Sequence, residues 1–165
     1  NRVERRAMSL TQHARLACAL ALAVPALLLG GAYVSQYGFG LYPCEMCWWQ
    51  RWPHFAAVGL ALLAYVTPPQ RLWTGAAALA ILVSGAIGLF HAGVEYGWWE
   101  GITSCAAITS GSSGNALEDI MNPPLVRCDE PAWTLLGISL AGFNFLISTA
   151  TGLAIFALLV KDRRA

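Results

Sequence analysis

Pro43-Cys44-Glu45-Met46-Cys47-Trp48-Trp49-Gln50-Arg51-Trp52-Pro53-His54 runs directly into the apolar stretch that ends at Val66. A Cys-x-x-Cys dithiol therefore opens a hydrophobic span. That spacing lowers thiol pKa and closes readily to a disulfide, and its position puts the dithiol at a membrane surface. Pro43 suits the first helical position, where its missing N–H costs nothing. Cys44 and Cys47 then occupy the first turn, where the helix dipole favours thiolate. Positions 44, 47, 51 and 54 share one helix face. Arg51 lies one turn below Cys47, roughly 6 Å deeper. A cation at that depth is costly unless it meets a partner, so it is a candidate anion binder. His54 is either a satisfied core histidine or a further contact on the same stripe. Pro53 removes the usual donor to the Trp49 carbonyl and predicts a kink.

Outward from this stretch, the 165-residue chain is 57% hydrophobic and 12% charged, too apolar for a soluble domain. Four runs are long enough to span a bilayer: Leu16–Val34, Trp48–Val66, Leu72–Phe90 and Trp133–Val160. Arg51 is their one Asp, Glu, Lys or Arg residue. The fold class is an all-α membrane protein, a single-domain four-transmembrane-helix bundle. The last run would measure roughly 42 Å as helix against a hydrocarbon core of about 30 Å. It is expected to tilt or to begin above the membrane. The first run has a basic lead like a signal peptide, but is longer than such a segment needs.

Arg2, Arg5, Arg6, Arg15, Arg71, Lys161, Arg163 and Arg164 flank one side of these spans, and Arg51 and Arg127 the other. The positive-inside rule makes both termini and the Thr67–Arg71 turn cytoplasmic. Loops 35–43 and 92–132 face outward. Net charge is +1, which suggests no nucleic-acid partner. Cys44, Cys47, Cys105 and Cys128 all face the outer, oxidising compartment. Cys18, inside the first span, reads as a small buried hydrophobe.

Cys105 and Cys128 lie in the long outer loop with Gly, Ser and Pro between them. Alone they would be a loop staple; beside an exposed dithiol on the same face they suggest a relay by thiol–disulfide exchange. Within the loop, Asn115 and Glu118 predict a short helix over Asn115–Met121. His91 and Glu95 are four apart near the outer end of the third span and share a face. An ion pair and a proton-donating pair both fit. Aromatic residues crowd the outer boundary as an interfacial belt, and a few of them suit the wall of a planar ligand's pocket. A zinc site is disfavoured because Arg51 stands between the Cys pair and His54. Haem attachment would need His, not Trp48, after Cys47.

The set Pro43 to His54, His91-Ala-Gly-Val-Glu95, Cys105, and Cys128-Asp-Glu-Pro-Ala-Trp133 leading to Gly137-Ile-Ser-Leu-Ala-Gly-Phe-Asn144 resembles the disulfide bond formation protein B (DsbB) family. The resemblance covers nearly the whole chain. It implies a quinone-coupled thiol oxidase of the bacterial inner membrane with its active site on the periplasmic side. It implies ubiquinone or menaquinone as cofactor, and Arg51 as a quinone contact. Cys47 would face the quinone as thiolate or adduct, with Cys44 its disulfide partner. His54, His91 and Glu95 are candidate quinone-site residues. Cys105 would exchange with a periplasmic thioredoxin-fold partner (DsbA-like), and Cys128 would resolve. The resting connectivity stays open between Cys44–Cys47 with Cys105–Cys128, and an interloop Cys44–Cys128 bond.

Two rivals remain at this level. A vitamin K epoxide reductase-like protein also has four helices and paired cysteines, but places its Cys-x-x-Cys late in the bundle. A four-helix channel or transporter with structural disulfides would use Ser139, Asn144, Ser148 and Thr151 as a polar lining. These are as easily helix–helix hydrogen bonds, and no acidic residue lies inside any span.

Overall fold

A computed structural model describes residues 11–103, 107–108 and 125–164. Among the described residues it is helical apart from two pairs of two-residue strands. Helices α1 (Gln12–Gly38), α2 (Glu45–Val66), α3 (Gln70–Glu95) and α4 (Leu140–Arg164) form a bundle. In it α3 packs on α2 and α4, α1 packs on α2 and α4, and α1 meets α3 only lightly. Strands β1 (Ala107–Ile108) and β2 (Leu125–Val126) pair antiparallel between α3 and α4. Strands β3 (Thr134–Leu135) and β4 (Ile138–Ser139) pair just before α4.

The bundle closes through small residues. Ala17 and Ala21 of α1, Ala57 and Ala61 of α2, and Ala77 and Ala78 of α3 make the core with Ile81 and Ile155. Leu16, Leu27, Leu62, Leu79 and Leu153 point outward. Large apolar side chains outside and small ones inside suit helices that meet lipid and each other rather than water. At Gly88 a Cβ would come within 3.0 Å of the Ala141 carbonyl oxygen and 3.1 Å of Asn144 Nδ2. The missing side chain is what lets α4 approach α3 there.

By length and mean hydropathy, three described helices can cross a membrane: Gln12–Gly38, Gln70–Glu95 and Leu140–Arg163. Helix α2 is long enough, but its first half carries Gln50, Arg51, Pro53 and His54, and the helix falls short on hydropathy. The expected span from Trp133 is corrected at its start. Residues 134–139 form a hairpin, and helix begins at Leu140. The turn is made by Leu136 (φ 53°) and Gly137 (φ 79°), two successive left-handed residues that match the twist of a tight hairpin. Tyr96, just past α3, holds this hairpin: its hydroxyl donates to the Gly137 carbonyl (2.9 Å) and accepts from the Ser139 N–H (2.9 Å).

The two ends of the bundle differ in chemistry. At one, Asp162 of α4 is buried against Arg71 of α3 and accepts from the Thr11 hydroxyl, which also caps α1. At the other end lie Cys44, His91, Glu95 and Cys128. The expected helix over Asn115–Met121 lies outside the described residues, as do Cys105 and the arginines before Thr11.

Candidate redox site

Helix α2 does not start at Pro43 as its sequence suggests. Cys44 is the N-cap (φ −75°, ψ 177°), and its Sγ accepts from the Cys47 N–H at 3.3 Å. The sulfur takes the role an Asp or Ser oxygen has at other helix starts, satisfying one of the first-turn donors. That bond draws the two side chains together. The Cys44 and Cys47 sulfurs are 3.0 Å apart, with Cys44 donating to Cys47. A thiolate at Cys47 would be held by this donation and by the positive end of α2. The Cys44 thiol is pushed up, first by its hydrogen bond to Cys47 and then by burial.

The 3.0 Å pair looks two ways. On one side, Cys44 packs with Cys128, Met46 and Val94 in a small buried cluster. The reactive atoms of Cys44, Cys128 and His91 all lie within 4.8 Å of one another. Cys128 is buried, and Thr103 Oγ1 donates to its sulfur at 3.5 Å. Burial pushes the Cys128 thiol up to about 11. Neighbouring Asp129 is held below the usual carboxylate range by Arg127, which grips it at 2.6 and 2.9 Å.

On the other side, Cys47 lines a cavity of about 280 Å³ between α1, α2 and α4. Gln50, Arg51, His54 and Asn144 supply polar groups; Leu27, Leu28, Leu140 and Phe143 are among the apolar walls. The volume is just below the ~300–1,000 Å³ of small-molecule sites. Buried Arg51 reaches from α2 to α1. Its Nη1 donates to Gln36 Oε1 (2.7 Å) and its Nη2 to the Ala32 carbonyl (3.4 Å). Its guanidinium sits 5.0 Å from the Tyr33 ring centre and 4.9 Å from that of Trp48. Among the described residues no carboxylate pairs with it, so its charge is offset by dipoles and π faces alone.

The sequence stripe of Cys44, Cys47, Arg51 and His54 is thus brought together along one helix, and Cys128 joins it from a distant loop. His91 and Glu95 come to the dithiol rather than to the cavity. His91 Nε2 is 3.5 Å from Cys44 Sγ and 3.7 Å from Glu95 Oε1, both side chains being buried. Neither lines the cavity. Cys105 lies outside the described residues.

Four residues in the site have no role in the sequence stripe. Gln50 hydrogen-bonds His91 Nδ1 at 2.8 Å and accepts from Asn144 at 2.8 Å. Asn144 accepts from His54 Nε2 at 2.9 Å and from the Ser148 hydroxyl at 2.9 Å. Ser84 donates to the Gln50 carbonyl at 2.8 Å. Gln50 was findable: it is three residues past Cys47 on the same helix. Asn144 and Ser148 are visible as polar residues in an apolar run, but nothing in the sequence says which histidine they meet.

Comparison with known proteins accords with this geometry. The family described as disulfide bond formation protein DsbB matches residues 14–159. A disulfide bond formation protein B of Verminephrobacter eiseniae is 33% identical over 159 residues, covering 91% of this chain and 88% of that one. A disulfide bond formation protein B 2 of Pseudomonas syringae is 32% identical over 154 residues, covering 88% and 82%. An uncharacterized protein of Rickettsia prowazekii is 26% identical over 132 residues, 77% of each chain. No solved structure matches.

Proposed function

Because this chain belongs to the DsbB family of disulfide bond formation proteins, we propose that it is a thiol:quinone oxidoreductase that reoxidises a periplasmic thioredoxin-fold dithiol protein of the DsbA kind. One observation carries the reading: a single sulfur pair, Cys44 and Cys47, has a loop cysteine on one side and a ligand-sized cavity on the other. An electron pair entering at Cys128 has Cys44 within 4.8 Å, and Cys47 beyond it lines the cavity.

The exchange balances as follows. The partner's dithiol reduces Cys105–Cys128 and becomes a disulfide. The Cys128 thiolate attacks Cys44 of the Cys44–Cys47 disulfide, and Cys47 leaves as thiolate. Cys105 then attacks Cys128, and Cys44 leaves as thiolate. The chain is now left with the reduced Cys44/Cys47 pair and an oxidised loop pair. Ala107, two residues after Cys105, pairs in β1–β2 with Val126, two residues before Cys128, and this supports the loop pairing.

A quinone, ubiquinone or menaquinone, would supply the acceptor for two electrons and two protons. The cavity suits its head group. The apolar walls fit a ring, Arg51 offers a donor and positive charge to a reduced oxygen, and the buried His54 Nδ1 has no partner among the described residues. Cys47 lines the same space. The topology we propose has four spans, α2 included, with the Arg15, Arg71 and Lys161 end cytoplasmic and the dithiol end periplasmic, in a bacterial inner membrane.

The test is an anaerobic assay of purified protein in detergent, given reduced thioredoxin-fold partner and a short-chain quinone. Stoichiometric loss of quinone absorbance and of partner thiols is the expected outcome. Partner oxidation that needs no quinone would reject the reading.

A further inference from the structure

The hydrogen bonds between α2, α3 and α4 have a direction, and both ends of the chain are set by backbone carbonyls. Asn144 Nδ2 lies 3.2 Å from the Ser84 carbonyl oxygen, so this atom must be the amide nitrogen. It therefore donates to Gln50 Oε1 at 2.8 Å. Gln50 Nε2 in turn faces the Met46 carbonyl at 3.2 Å, which agrees with the same orientation. Its second hydrogen points at His91 Nδ1, 2.8 Å away. A nitrogen that accepts cannot carry the proton of a neutral imidazole, so the proton sits on Nε2. Nε2 faces Cys44 Sγ at 3.5 Å and Glu95 Oε1 at 3.7 Å, and the Cys128 backbone also hydrogen-bonds this ring.

We propose that Gln50 and Asn144 are positioning residues that hold His91 as its Nε2–H tautomer, so that it donates to Cys44 sulfur. The proposal rests on the thiol-oxidase reading for its consequence but not for its geometry. When Cys105 attacks Cys128 in the Cys44–Cys128 disulfide, the Cys44 sulfur leaves with a negative charge. The Nε2–H is the donor nearest that sulfur from α3, and Glu95, Cys47 and Cys128 are the other titratable groups around it. A donor fixed before the charge appears needs no reorganisation when it does.

The tautomer also decides against a rival use of the same cluster. The ligand atoms of Cys44, His91 and Cys128 lie within 4.8 Å of one another, close enough to surround one metal ion. A metal bound there would need a lone pair on Nε2, where the Gln50 bond leaves a hydrogen.

The chain has three histidines, His13, His54 and His91, so their imidazole signals are assignable by single His→Gln variants. Protein labelled with 15N-histidine, reduced and held at a pH where the rings are neutral, should show His91 with a protonated Nε2 and an unprotonated Nδ1. Gln50→Leu should give a mixture of tautomers. Gln50→Glu offers Nδ1 an acceptor and should put the proton there. In stopped flow, Gln50→Leu should slow release of Cys44 roughly tenfold or more, the loss expected for a hydrogen bond to a charged group. An Nδ1–H ring in the wild type, or one unchanged by Gln50→Leu, would overturn the proposal. The ring spectra need no turnover. A protein with the expected spectra that oxidised no dithiol would therefore reject the functional reading and leave the tautomer assignment standing.

Discussion

Arg51 of α2 donates to Gln36 of α1 across 2.7 Å, which fixes a buried cation at the wall of the cavity. This bond orients the guanidinium but leaves its charge without a carboxylate among the described residues. An incoming anionic oxygen would therefore find it available.

Arg51→Ala should raise the quinone Michaelis constant about ten- to a hundredfold, the equivalent of roughly 1.5–3 kcal/mol for a charge-assisted hydrogen bond. The constant for the dithiol partner should change little. Gln36→Leu keeps the charge and loses only the orientation, so its effect should be several-fold smaller. Steady-state kinetics with each substrate varied in turn separates the two. Equal changes in both constants for Arg51→Ala would mean the residue serves the fold alone.

Either Cys44→Ser or Cys47→Ser should abolish quinone reduction, since each breaks the pair that joins the loop to the cavity. Cys105→Ser should block turnover with the partner while leaving a dithiol small enough to reach Cys44 able to drive quinone loss. Quinone-dependent partner oxidation by Cys44→Ser would remove the relay.

Reduced Cys128 should resist alkylation near neutral pH. With its thiol pushed up to about 11 by burial, thiolate is scarce at pH 7.5, and carbamidomethylation should run at least about a hundredfold slower than at an ordinary thiol of pKa ~8.5. The rate should keep rising with pH up to about 11. The linkage has a definite sign: the fold favours the protonated form. The stability this contributes is present below about pH 8.5 and is lost as pH rises toward 11. Peptide-level mass spectrometry after timed labelling of the reduced protein gives the profile, and a plateau near pH 8.5 would contradict the burial.

Gly88→Val should destabilise the bundle by about 1–3 kcal/mol, the usual cost of overpacking. Its Cβ would meet the Ala141 carbonyl at 3.0 Å, a backbone atom, and Asn144 Nδ2 at 3.1 Å, a side-chain atom held by hydrogen bonds to Gln50 and Ser84. Thermal unfolding in detergent should show the loss. Because Asn144 is displaced too, quinone turnover at a permissive temperature should fall as well.

Much of the architecture is legible in the chain itself. Four apolar runs separated by Pro68-Pro69 and a polar loop specify helices, because a backbone in lipid must satisfy its own hydrogen bonds. The Cys44, Cys47, Arg51, His54 stripe is legible for a similar reason: helical period alone decides which residues of one helix share a face. The start of the last helix was not legible. Residues 133–160 carry no charge, and hydropathy does not register that Leu136 and Gly137 take up left-handed backbone and turn a hairpin.

What only the tertiary structure decided is which helix faces meet. Period places Gln50 on α2, His91 on α3 and Asn144 on α4, but says nothing of their register against one another. That register is decided where small residues such as Gly88 let α4 close on α3, which brings Asn144 to Gln50 and Gln50 to His91. It also brings His91, with Glu95 beside it, to the sulfur of Cys44, and carries Cys128 to within 4.8 Å of a sulfur 84 residues earlier in the chain. Local periodicity is a property of one segment; contact between segments depends on how closely their backbones can approach, and that is determined by packing.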